Sequence, residues 1–170
     1  MGREIRRVPV NWQHPTQTCP HAYKPCEGYR CYKPLFDRLY QNEAKEWLEE
    51  FDKWQKGYRP DYFEIGDAEF FWDWYGMPPD KEYYRTYKDE DAIWYQVYET
   101  VSEGTPVTPP FETQAELVNY LVENGDFWAQ RRNQGGFTRK AAENFVYGSG
   151  YAPSMVVCNG EVTVGIETCK

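Results

Sequence analysis

The chain has 170 residues, of which only 30 are Leu, Ile, Val or Phe, a content that would normally suggest disorder. It also has 7 Trp, 15 Tyr and 9 Phe, so it can bury an aromatic core, which excludes a disordered polypeptide. The formal net charge is −8, and residues 43–103 hold most of it, with 17 acidic and 7 basic groups. A field of that sign repels phosphate, so direct nucleic-acid binding is disfavoured and a basic protein is the easier partner. The length predicts a single domain over residues 1–170.

The first third of the chain contains one clear helix signal. Residues 4–10 favour a short extended segment, and Pro9 would restrict that segment to the edge of a sheet. Residues 11–34 are rich in Pro, Gly, Cys and His and have no period, which predicts a loop. From Leu39 to Tyr58 the apolar residues recur at spacings of three and four, which predicts an amphipathic helix.

The middle of the chain is strongly aromatic. A second, shorter helix is predicted within residues 62–75, opened by Asp67, and Asp80 is a suitable N-cap for a helical turn that follows. Residues 92–101 alternate with a period of two and are β-branched or aromatic, which predicts a central strand. The proline-rich residues 102–111 then predict a stiff loop.

The last third predicts two helices and a hairpin. Thr113 followed by Glu116 is a capping box that opens a helix, and another helix is predicted over residues 138–147. Asn159-Gly160 between two apolar segments is a strong hairpin signal. The elements together predict an α+β fold, with a small antiparallel sheet, helices packed on one face and an aromatic-rich core.

Three segments carry a family resemblance. They are residues 1–9 with Trp12-Gln13-His14-Pro15, residues 98–107 (Tyr-Glu-Thr-Val-Ser-Glu-Gly-Thr-Pro-Val) and Gly150-Tyr151-Ala152-Pro153-Ser154-Met155. Together they resemble a family of small uncharacterised proteins of bacteriophage and prophage genomes. The resemblance implies a phage accessory protein in the cytoplasm of an infected bacterial host, and it implies no reaction. In that family the segment after His14-Pro15 is usually shorter and is not consistently rich in Cys.

The expected compartment follows from the chain itself as well. Residues 1–7 do not resemble a signal peptide, and no apolar run reaches the roughly 18 residues of a membrane span. We therefore expect the protein to stay where it is made, without membrane association. In a reducing compartment its 5 Cys are expected to be thiols or metal ligands rather than disulfides.

One loop gathers metal-ligating residue types. It holds both histidines and three of the cysteines, namely His14, Cys19, His21, Cys26 and Cys31. Zinc takes four soft or borderline ligands in a tetrahedron, and an irregular loop gains order by binding one. The loop lacks a paired Cys-x-x-Cys, so the alternative is unpaired thiols with a locally hydrogen-bonded His14. The cofactor hypothesis is therefore zinc or none, and Cys158 on a predicted strand is expected to be a small buried hydrophobe.

Two further sets of residues could contact a partner. Glu103 and Thr105 lie in the stiff loop, and loops carry function more often than cores do. Asp67, Glu69 and Asp73 lie among aromatic rings, and paired carboxylates with stacking rings are also typical of glycosidases. The favoured hypothesis is an accessory protein that acts through protein–protein contacts. A narrower version of this hypothesis is counter-defence, in which an acidic surface of the protein imitates DNA. The alternative is a zinc-binding or carbohydrate-active enzyme.

Overall fold

The protein has an α+β fold. The structure, a computed structural model, describes residues 2–18, 31–60, 68–100 and 104–169. Within these residues the helices are α1 (Tyr40–Gln55), α2 (Phe71–Tyr75), α3 (Gln114–Asn124), α4 (Phe127–Arg131) and α5 (Arg139–Tyr147). The strands are β1 (Arg3–Pro9), β2 (Phe36–Leu39), β3 (Tyr84–Arg85), β4 (Ala92–Glu99), β5 (Thr105–Pro106), β6 (Tyr151–Ala152), β7 (Met155–Cys158) and β8 (Glu161–Val164).

Two compact units divide the chain. The sheet unit consists of Met1–Leu35 and Tyr87–Lys170, and the aromatic unit is Phe36–Thr86. The single domain over residues 1–170 stays a prediction. Among the described residues, no helix combines the length and the apolar character needed to cross a bilayer.

The sheet unit is built on an antiparallel sheet with strand order β5-β4-β1-β6. Strand β4 is central, as predicted, and Ile5 of β1 lies opposite Val97 of β4. The prediction that Pro9 makes β1 an edge strand is wrong, because β1 pairs with β4 on one side and with the short β6 on the other. The structure accommodates Pro9 at the last position of β1, where the register with β4 shifts.

Helices α3 and α5 pack against one face of this sheet. Their buried side chains form one apolar cluster with Val97, and Ile5 and Tyr95 pack against the same cluster. The predicted capping box opens α3, since the Thr113 hydroxyl accepts a hydrogen bond from the Glu116 N–H at 3.2 Å and the Glu116 carboxylate accepts one from the Thr113 N–H at 3.1 Å. Because side chains alternate along a strand, the residues next to Val97 in sequence face the other side.

The predicted hairpin forms, but it is a separate two-stranded sheet of β7 and β8. Asn159 and Gly160 at its turn have φ angles of 51° and 83°, as a two-residue primed turn requires. Cys158 is exposed, so the prediction of a small buried hydrophobe is wrong. The hairpin pairs only with itself in the described residues, and its strands therefore do not gain the burial that a place in the main sheet would provide.

The aromatic unit is organised around Phe71, which is 1% exposed. Rings of α1 and α2 surround it with centroid separations of 5.0–5.9 Å, namely Trp47, Phe51, Trp54, Trp74 and Tyr75. Tyr75 and Phe71 are stacked, and the Trp47 indole donates a hydrogen bond to the Gly76 carbonyl at 3.0 Å. These ring contacts confirm the predicted aromatic core. Helix α1 has no fully buried residue and packs into this core through partly buried rings.

Candidate functional site

A cleft of about 1060 Å³ lies in the sheet unit next to the edge strand β5. Residues 106–110 form one side, and the segment from Trp12 to Gln17 lies on another. The cleft is lined by four glutamines and four aromatic residues: Gln13, Gln17, Gln96, Gln130, Trp12, Tyr32, Tyr120 and Phe127. No Asp, Glu, Lys or Arg is among the described lining residues, although the chain carries a net charge of −8.

The proline-rich side of the cleft is held by backbone hydrogen bonds. The Val107 N–H donates to the Val97 carbonyl at 2.8 Å, and Tyr95 and Phe111 exchange two further bonds of 2.8 Å. The Phe127 N–H donates to the Val107 carbonyl at 2.9 Å and so places the start of α4 beside the same loop. Since proline also restricts φ, this side of the cleft is preorganised for binding.

A buried polar network forms the inner end of the cleft. The Tyr98 hydroxyl lies 2.9 Å from the Gln96 Oε1 atom and 3.2 Å from the His14 Nδ1 atom, and the Trp12 indole donates to it at 3.2 Å. The other ring nitrogen of His14, Nε2, lies 2.7 Å from the Lys33 carbonyl oxygen. Tyr98 is 1% exposed, Gln96 4% and His14 8%, so these groups exchange hydrogen bonds mainly with each other.

His14 is held in its neutral form. The pKa of His14 is lowered to about 4, mainly by burial; the hydrogen bond with the Lys33 carbonyl opposes this effect, and the nearby Arg6 guanidinium adds to it. The Arg6 guanidinium carbon lies 4.6 Å from the centre of the Tyr98 ring, which brings a cation close to the network. At pH 7 His14 therefore carries one ring proton.

The predicted metal loop is only partly described. His14 and Cys31 both line the cleft, whereas Cys19, His21 and Cys26 lie outside the described residues. No group of three or more His, Cys, Asp or Glu side chains arranged for a metal occurs in the described part of the chain. Both ring nitrogens of His14 are already in hydrogen bonds, so a zinc ion bound by His14 would have to displace either Tyr98 or Lys33 from its ring.

The predicted partner-binding residues are distributed over both units. Asp67 and Glu103 lie outside the described residues. Thr105 is 6% exposed, and its hydroxyl donates to the Glu99 carboxylate at 3.0 Å, so its polar group is used inside the protein. Asp73 accepts a hydrogen bond from the Phe70 N–H at 3.0 Å at the start of α2, which gives its carboxylate a structural role, and Glu69 is exposed.

The acidity of the aromatic unit is partly compensated on helix α1. Each of its five acidic residues is within ion-pairing distance of a Lys or Arg, in the pairs Arg38–Glu43, Arg38–Glu46, Lys45–Glu49, Lys53–Glu50 and Lys56–Asp52. Most of these side chains are well exposed, so solvent screens the pairs and they open readily. The helix thus presents alternating charges rather than a continuous row of unpaired carboxylates.

The comparisons with known proteins return no relative. No family model, no curated protein sequence and no solved structure matches this chain. The cleft is therefore the candidate functional site. Its inner residues Gln96 and Tyr98 were not identified as site residues from the sequence, and the available signal was an amide in the middle of a strand whose other residues are mostly apolar.

Proposed function

We propose that the protein is a non-enzymatic recognition protein that binds an extended, uncharged segment of a partner protein in the cleft beside β5. The observation that carries the proposal is the lining of the cleft, which combines aromatic rings and glutamine side chains without a charged residue among the described positions. Aromatic rings provide contact area, and amide groups can both donate to and accept from a peptide backbone. A charged ligand would lose its hydration there without gaining a counter-ion.

The preorganised loop supports peptide binding in particular. Extended ligands, including proline-rich segments, dock in aromatic-lined grooves at low entropic cost when the groove is already formed. The hydrogen bonds of Val107 and Phe111 to strand β4 hold this side of the cleft in place before any ligand arrives. The loop that the sequence marked as a candidate contact surface thus acts through its prolines and backbone.

The family resemblance supplies a setting for this proposal. An accessory protein of a bacteriophage would bind a host or phage protein in the cytoplasm of the infected cell. Recognition through an acidic DNA-like surface is a narrower form of the same proposal, and it requires the ion pairs of α1 to open toward a basic partner. Binding of that kind would weaken steeply with salt, whereas binding in the uncharged cleft would not.

A displayed library of random linear peptides tests the cleft directly. Selection is made on the wild-type protein, and the enriched peptides are then titrated against Gln130→Arg and Gln134→Arg. Gln130 is exposed on the cleft, and Gln134 is an exposed glutamine outside it. We expect enriched peptides to lose at least roughly tenfold in affinity for Gln130→Arg and to bind Gln134→Arg like the wild type, because a bulky cation in the cleft should cost about 1.4 kcal/mol or more.

Two outcomes of the selection would contradict the proposal. Either no peptide is enriched on the wild-type protein, or the enriched peptides bind both variants and the wild type equally well. Circular dichroism of the two variants provides the folding control, since both substitutions are at exposed positions.

Zinc binding by the Cys- and His-rich loop remains the alternative proposal. His14 and Cys31 lie on the same cleft, which is compatible with a shared ion. Metal analysis of the purified protein measures its zinc content. About one equivalent of zinc per chain that is lost in a Cys31→Ser variant would favour a metal site. A zinc content far below one equivalent would contradict it.

A further inference from the structure

Counted over the described residues, the hydrogen-bond network at the inner end of the cleft has one proton fewer than its acceptors need. The Lys33 carbonyl can only accept, so at 2.7 Å the His14 Nε2 atom has to carry the proton of the neutral ring. The His14 Nδ1 atom is then a bare acceptor that lies 3.2 Å from the Tyr98 hydroxyl. It needs the hydroxyl proton of Tyr98 to complete its hydrogen bond.

The Gln96 side chain needs the same proton. Its Nε2 atom donates to the Thr108 carbonyl at 2.8 Å, which fixes the orientation of the amide and directs Oε1 to the Tyr98 hydroxyl at 2.9 Å. A tyrosine hydroxyl has one proton to donate, and the Trp12 indole uses one of its accepting sites. Tyr98 can therefore serve either His14 or Gln96, but not both.

Gln96 and His14 both line the cleft, but the imidazole nitrogen of His14 is the more basic acceptor and holds the Tyr98 proton more strongly than an amide oxygen does. A molecule bound in the cleft therefore meets a Gln96 amide oxygen that needs a donor. Gln96 is 4% exposed, so its Oε1 atom is largely removed from solvent. A buried acceptor that loses its donor is costly, and this cost is removed when a bound molecule supplies an N–H. The uncharged lining of the cleft fits a neutral donor of this kind.

We propose that Gln96 Oε1 is the recognition group of the cleft and accepts a hydrogen bond from a backbone N–H of the bound segment, while the Tyr98 hydroxyl donates to His14. The inference rests on the proposed function, because it assigns a specificity-determining contact within the same cleft. It makes a secondary amide the preferred chemical group at this position.

Nitrogen NMR of the free protein tests the arrangement without a ligand. We expect His14 to be the neutral Nε2–H tautomer at pH 7, with an Nδ1 signal that moves downfield in Tyr98→Phe because the hydrogen bond from the hydroxyl is lost. An Nδ1–H tautomer, or an Nδ1 signal that is the same in Tyr98→Phe, would overturn the proposed donor direction. The tautomer of the wild type decides the question even if the variant fails to fold.

Two small amides then test the recognition group on the wild-type protein. N-methylacetamide carries the N–H of a peptide bond, and N,N-dimethylacetamide lacks it. We expect N-methylacetamide to bind roughly fivefold more tightly, because it can donate one additional hydrogen bond. The NMR signals of the Gln96 side-chain amide provide the readout. Equal binding of both amides at the cleft would overturn the Gln96 proposal and leave the proposed function standing. Failure of both amides to shift any cleft signal would instead contradict peptide binding in the cleft, and the Gln96 proposal with it.

Discussion

Replacing Asp126 by Ala is expected to be one of the most damaging single substitutions in the sheet unit. Asp126 is 2% exposed, and its Oδ2 atom pairs with the Arg3 Nε atom at 2.5 Å, linking β1 to the start of α4. Its Oδ1 atom caps α4 by accepting from the Ala129 N–H at 2.8 Å. The substitution removes the cap and leaves the guanidinium of Arg3, which is 5% exposed, without this carboxylate.

The expected loss can be summed from these two contacts. Breaking a buried ion pair from one side costs about 3–5 kcal/mol, and loss of an N-cap adds about 1 kcal/mol. A total of about 4–6 kcal/mol is a large part of the roughly 5–15 kcal/mol that stabilises a typical domain. Asp126→Asn keeps a capping oxygen, so it should lose about 1 kcal/mol less than Asp126→Ala.

Urea unfolding followed by circular dichroism measures the free energy of unfolding of these variants. Glu90→Ala is the matched control, because the Glu90–Lys88 pair is 73% and 71% exposed and such pairs contribute little. If Asp126→Ala loses less than about 1 kcal/mol, the buried pair does not link β1 to α4 as argued. Since α4 carries Phe127 and Gln130 on the cleft, the same variant should also weaken peptide binding.

Two further predictions concern acid stability and a close backbone approach. Because the pKa of His14 is lowered to about 4 in the folded protein from 6.5, the unfolded chain takes up this proton first, and the free energy of unfolding falls as the pH drops through this range. We expect a loss of up to about 3 kcal/mol between pH 7 and pH 4 that is absent in His14→Gln, and an equal slope in both proteins would contradict it. A Cβ atom on Gly136 would lie 1.8 Å from the Val122 carbonyl oxygen, whereas one on Gly135, with φ of 74°, meets no atom within 4 Å. Thermal unfolding should therefore show Gly136→Ala losing about 2 kcal/mol or more and Gly135→Ala about 1 kcal/mol, and the reverse order would refute the packing argument.

The elements that the sequence predicted well are those with local signals. The apolar period marked helix α1, and Thr113 with Glu116 marked the start of α3. The dipeptide Asn159-Gly160 marked the hairpin turn. These signals act over a few residues, so they hold whatever the rest of the chain does.

The elements that were missed are short or depend on distant pairing. Strand β5 has two residues and exists because it pairs with β4, and α4 has five residues and is capped by Asp126. The exposure of Cys158 likewise depends on where the hairpin lies, which its own residues do not reveal. The wrong prediction that Pro9 makes β1 an edge strand has the same origin, since the pairing of β1 with β6 joins segments far apart in sequence.

The sequence by itself determined the fold class, the aromatic core and the helices and turns whose hydrogen bonds close locally. Only the tertiary structure decided that Gln96 lines a cleft, with Tyr98 on the same side of the strand, while Val97 between them faces the core, because the β1–β4 register assigns the two faces of the strand. It also brought His14 to Tyr98 across 84 positions of the chain. A hydrogen bond between such distant residues leaves no periodic pattern in the sequence, and the candidate site is made of contacts of this kind.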